Sequence, residues 1–125
     1  MPERDAVAVA AEQTARQLTE LLRSSHHVSA DVHLLASGHA LISVWHGLVA
    51  RTDGRAIWWT APAAAIPGRD RPLLVLTFTA QGAAARLTKH RAALRADIVA
   101  RIRAGTAGTL ADLYLEEMTS HAAPV

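Results

Sequence analysis

The residues of this chain best equipped for chemistry are its seven histidines: His26, His27, His33, His39, His46, His90 and His121. A metal centre needs three or four ligands converging at about 2 Å, usually from pairs at tight spacing. Adjacent His26 and His27 diverge on most backbones, and no H-x-x-x-H or H-E-x-x-H pair supports His33, His39 or His46. With no cysteine there is no thiolate ligand, no cysteine nucleophile and no disulfide. None of Ser24, Ser25, Ser29, Ser37 and Ser43 stands in a G-x-S-x-G or S-x-x-K setting. Glu116 and Glu117 are neighbours and diverge on a helix, Asp53 is required by a turn, and no glycine cluster forms a phosphate cradle. The sequence therefore assigns no catalytic residue, no metal ligand and no cofactor.

Binding is the stronger expectation, and it rests on tryptophan and arginine. All three tryptophans, Trp45, Trp58 and Trp59, flank Asp53-Gly54, a dipeptide that suits a tight hairpin because both central residues of a type I′ turn need positive φ. A two-residue turn there pairs Thr52 with Arg55, Ala50 with Ile57, Val49 with Trp58 and Leu48 with Trp59. Strand alternation then places Val44, His46, Leu48, Ala50, Ile57 and Trp59 on one face, and Trp45, Gly47, Val49, Arg51 and Trp58 on the other. Adjacent Trp58 and Trp59 cannot face one core, so one indole reaches the second face. Trp and Arg are typical interface anchors. The expected partner surface is Trp45, Val49, Arg51 and Trp58, joined by Ile66, Arg69 and Arg71 of the following loop.

Charge supplies an alternative partner. Residues 1–50 carry a net −2 and residues 110–125 a net −3, whereas residues 51–109 hold ten basic groups against three acidic ones. A cationic segment beside indoles is the pattern of single-stranded nucleic-acid binders. That reading uses Arg51, Arg55, Arg69, Arg71, Arg86 and Lys89. Against it, the helical charges form no single stripe, and neither an RNP pattern nor a helix-turn-helix is legible. Abundant alanine, with Lys89 the one lysine, reads as GC-rich bacterial codon usage.

The elements that must position these residues follow from periodicity. Residues 4–24 repeat side chains at the spacing of one helical face: Val7, Ala11, Thr14 or Ala15, Leu18, and Leu21 or Leu22. Strands are expected at 32–36, 41–51, 55–60 and 73–79. The three-proline stretch 61–72 reads as a loop that holds no helix. The near-continuous apolar run Leu73–Thr79 suggests a central strand or one covered on both faces. Helices are expected at 83–103 and 110–120, the second opened by a capping-box-like Thr109 and Asp112.

The expected fold is a single α+β domain, 1–125, in two layers, with a four-stranded antiparallel meander covered by an N-terminal helix and two C-terminal ones. No run of about 18 apolar residues suggests a membrane span, and no signal-peptide pattern opens the chain, so a cytoplasmic location is expected. The expected function is a non-enzymatic interaction, adaptor or regulatory module, homodimeric, with a protein partner. Nucleic-acid binding is the alternative. A small-molecule or enzymatic pocket using His33, His39 or His46 is the third.

Overall fold

The computed structural model describes residues 2–105, with side chains described from residue 5 onward. It has the α+β class expected, built from α1 (Pro2–His26), β1 (Asp31–Leu34), β2 (Ala40–Trp45), β3 (Leu48–Thr52), β4 (Ile57–Ala61), a 3-10 turn (Ala63–Ala65), β5 (Leu73–Thr77) and α2 (Ala80–Ala104). The strands form one antiparallel sheet in sequence order. The expected helix at 110–120 lies outside the described residues. Among the described residues no helix is long and apolar enough to cross a membrane.

The sheet has five strands rather than four because 41–51 is not one strand. Chain reversal occurs at His46-Gly47, where Gly47 takes a φ of +76°. The Asp53-Gly54 segment is a second reversal, wider than expected. Thr52 pairs with Ile57 and Arg51 with Trp58, leaving four residues in the loop. The loop is held by side chains in place of a two-residue turn. Asp53 Oδ1 accepts from the amides of Arg55 and Ala56, while Thr52 Oγ1 accepts from Gly54 N and donates to the Ala56 carbonyl. A register shift of two leaves alternation intact, so Ile57 and Trp59 remain on the buried face and Trp58 on the other.

Both helices cover that buried face. Ala11, Ala15, Leu18 and Leu22 of α1 and Ala83, Ala84 and Leu87 of α2 share one core with Ile42, Val44, Leu48, Ala50, Ile57, Trp59 and Val75. The alanines let the helices approach closely, and burial of the larger side chains contributes roughly 1.5–3 kcal/mol each. At the C-terminal end of α1, His27 adopts a left-handed φ of 57° and Val28 N donates back to the Leu22 carbonyl. Thr79 caps α2 by accepting from Gly82 N at 3.0 Å.

Two further expectations change. The 61–72 loop does hold a 3-10 turn, started by Pro62, whose missing N–H is harmless at a first turn. Its Ala65 is buried and the turn packs on α2. Most consequentially, among the described residues β5 is neither central nor covered on both faces: it is an edge strand there, with β4 as its one neighbour in the sheet.

Candidate functional site

The side of the sheet facing away from both helices is assembled from alternate residues of every strand. Cross-strand pairing aligns His33 with Leu41, Leu41 with Arg51, Arg51 with Trp58 and Trp58 with Leu76 in one row. Asp31, Ser43 and Val49 fall in the next, where Thr60 also pairs with Leu74. The row changes from polar at the β1 side to apolar at β4 and β5. Leu74 is 67% exposed and Leu76 51%, and Phe78, just past the strand, is 73% exposed. Side chains of this size left in water on one strand are a candidate recognition surface.

Arg51 sits at the polar margin of this surface. Its Nε donates to His39 Nδ1 at 2.8 Å, and the His39 ring meets Trp58 edge-on at 5.8 Å and 86°. That bond requires an unprotonated Nδ1, so in this arrangement His39 carries its proton on Nε2. The imidazole thus braces both Arg51 and Trp58, which are half-buried rather than freely displayed.

Trp45 does not belong to this surface. The β2–β3 ladder shifts between Ser43 and Trp45, leaving one extra residue on β2. A bulge of this kind reverses the alternation beyond it, so Trp45 turns to the helix side. There Arg91 stacks on its ring at 4.7 Å and Arg95 at 5.8 Å. Burial, then Arg95, pushes the Arg91 guanidinium below its ordinary value, and its Nε is buried without a hydrogen-bond partner among the described residues.

A groove of about 520 Å³ runs along β5. Its walls are Ile66 and Pro67 of the preceding loop, Leu73–Leu76, and Arg86, Lys89 and His90 of α2. Consecutive strand residues point to opposite faces, so four of them line one groove only where the groove follows the strand's free edge. Trp59 Nε1 donates to His90 Nδ1 at 3.1 Å. Indole can only donate, so neutral His90 keeps its proton on Nε2. Burial first, with Lys89 and Arg86 nearby, holds His90 below its ordinary pKa.

The structure therefore brings together Val49, Arg51 and Trp58 of the expected partner surface, and places Ile66 in the adjacent groove. Arg69 and Arg71 lie on the exposed loop leading into β5, at the Ala61–Leu73 end of the sheet. Arg55 lies at the opposite end, where Thr52, Ile57 and Thr77 meet. Arg86 and Lys89 stand apart from Arg51 on the helix side. The six cations of the nucleic-acid reading are thus divided between two ends and two sides of the sheet. Among the described residues no group of three or more His, Asp or Glu is placed to hold a metal ion.

Sequence reasoning missed Leu41, Leu74 and Leu76 as surface residues and His90 as the partner of Trp59. The signal for Leu74 and Leu76 was the run Leu73–Thr79 itself, which needed a position at the edge to become a surface. Comparison with protein-family models, with curated proteins and with solved structures finds no match.

Proposed function

We propose that this protein is a non-enzymatic interaction module that pairs with a second copy through the sheet face that carries no helix among the described residues. The observation that carries the reading is the apolar part of that face, where Trp58, Leu74 and Leu76 lie on the side of Val49, with Leu41 beyond Arg51. None of these side chains is needed to close the core, which the opposite face completes. Covering Trp58, Leu74, Leu76 and Phe78 on both copies removes from water the exposed parts of eight large side chains. Each leucine and phenylalanine gains roughly half to three-quarters of the 1.5–3 kcal/mol that full burial contributes, and half-buried Trp58 gains less. Association costs about 4–15 kcal/mol in lost freedom, so the gain is comparable with that cost and sensitive to one buried charge. The division of the basic residues between the ends and sides of the sheet favours a protein surface over a phosphate track.

Sedimentation velocity tests this directly. The wild-type protein is expected to sediment at twice its 13.3 kDa chain mass, and Leu76→Glu to sediment as a monomer with unchanged far-UV circular dichroism. A wild-type protein that stays monomeric at every concentration reached, or a dimer indifferent to both Leu76→Glu and Trp58→Arg, refutes the proposal.

A further inference from the structure

The groove along β5 leads to a second inference, independent of the sheet-face reading. We propose that it binds an extended, acidic segment of a protein partner, which adds to β5 as a sixth strand. On its inner side β5 pairs with β4 through all five residues, from Leu73 to Thr77. On its outer side it has no strand among the described residues. Every second residue of an antiparallel edge directs its N–H and C=O outward, which makes such an edge a template for another chain. Native edges are commonly protected by charges, proline or a bulge within the strand. Leu73–Thr77 contains no charge and no proline, and its pairing with β4 is regular.

The chemistry of the occupant follows from the groove walls. Ile66, Pro67 and the β5 side chains offer apolar surface to alternate residues of an incoming strand. The α2 wall offers Arg86, Lys89 and the Nε2–H of His90, which are all donors. Arg86 and Lys89 make no hydrogen bond or ion pair among the described residues. A carboxylate-bearing strand supplies the missing acceptors and gains charge-assisted hydrogen bonds. A second copy is a poorer occupant, because its own β5 carries no carboxylate and would leave both cations without counter-charge.

The test is fluorescence anisotropy on the full chain. The probe is a dye-labelled peptide about nine residues long in which valine alternates with glutamate. Saturable binding is expected. It should weaken by at least about tenfold, or about 1.4 kcal/mol, when lysine replaces glutamate in the peptide. It should weaken as much with the Arg86→Glu/Lys89→Glu protein. N-methylation of alternate amides along one edge of the peptide should abolish binding, because strand addition depends on main-chain hydrogen bonds. Arg86 and Lys89 are exposed, so the double variant is expected to fold, with an unchanged circular dichroism spectrum and sedimentation coefficient. The proposal is overturned by absent binding, by equal binding of the lysine peptide, by binding that survives the double charge reversal, or by binding that tolerates N-methylation on each edge in turn. Self-association lost in the double variant would assign the groove to a second copy and overturn it as well. Failure of the Leu76→Glu sedimentation test alone leaves this inference standing, since that test reads the sheet face.

Discussion

Gly54 is the point at which the β3–β4 loop locks onto the first helix, and Gly54→Ala is expected to be among the most damaging single-methyl changes in the protein. The residue has a φ of +94°, and a Cβ built on it would lie 2.5 Å from Ala10 Cβ, 2.8 Å from Ala10 C and 3.0 Å from Ala11 N. Two of these atoms are helix backbone, which cannot turn aside as a flexible side chain does. A positive φ costs a non-glycine residue about 1–2 kcal/mol, partly offset by about 0.4–1 kcal/mol from the stiffer unfolded chain. Overpacking adds about 1–3 kcal/mol, and displacing the loop forfeits the 3.2 Å bond from Thr14 Oγ1 to the Gly54 carbonyl, worth about 1 kcal/mol. The total is about 2–5 kcal/mol. Gly47→Ala is the internal control, because Gly47 has a φ of +76° but nothing within 4 Å of its would-be Cβ. It carries only the backbone cost, about 1 kcal/mol. Urea unfolding of both variants, with thermal melts alongside, separates the two effects. In a domain of this size each kcal/mol lowers Tm by about 4 °C. If Gly54→Ala unfolds no more easily than Gly47→Ala, α1 does not press on the loop as described.

Two further outcomes follow from the same face of the sheet. Thr52 is 0% exposed and its hydroxyl bridges Gly54 N and the Ala56 carbonyl, so Thr52→Val is expected to cost about 1–3 kcal/mol in urea unfolding; a change under about 0.5 kcal/mol would show that the Asp53 side chain suffices to hold the loop. His90 has a depressed pKa in the folded protein, so below the ordinary imidazole value of 6.5 the unfolded chain takes up the proton first. The stability contributed by neutral His90 is complete above that value and is lost as pH falls through it. Wild-type unfolding free energy measured from pH 8 to 5 should therefore decline more steeply below 6.5 than that of His90→Gln, and parallel profiles would refute the role of the Trp59–His90 bond.

Alternation was the legible part of the sequence. That Ile57 and Trp59 share one face and Trp58 takes the other follows from period, and period survives a change of register by two. On α1 it marks Ala11 and Leu18 but does not choose between Thr14 and Ala15 or between Leu21 and Leu22, where the structure buries Ala15 and Leu22. Chain reversal was less legible. Asp53-Gly54 is a strong turn signal, yet Asp53 keeps a negative φ and accepts two amides, which widens the loop; His46-Gly47 is a weaker signal, yet it makes the tight reversal. A local motif reports that a turn is possible, while the buried faces on either side determine its length. The bulge before Trp45 was invisible because its cause is tertiary: α2 supplies Arg91 and Arg95 as the surface on which that indole rests. For the candidate site the failure had the opposite sense. An apolar run such as Leu73–Thr79 has the same appearance whether its surroundings are core or partner, and only the strand order distinguishes the two.

That ambiguity has a physical counterpart in the molecule. The open sheet face and the edge groove share Leu74 and Leu76. A strand added beside β5 would extend the face by one further row of side chains. It would therefore change the area that a second copy can cover without altering any residue already there. Linkage makes such an effect mutual: if an edge-bound segment strengthens or weakens pairing of the faces, pairing changes the affinity of the edge by the same factor. The polar residues are placed consistently with this division. Arg51 and His39 limit the face on its β3 side, while Arg86, Lys89 and His90 limit the groove on its α2 side. No charge separates the two proposed surfaces along Leu73–Thr77, so any coupling between them would pass through β5.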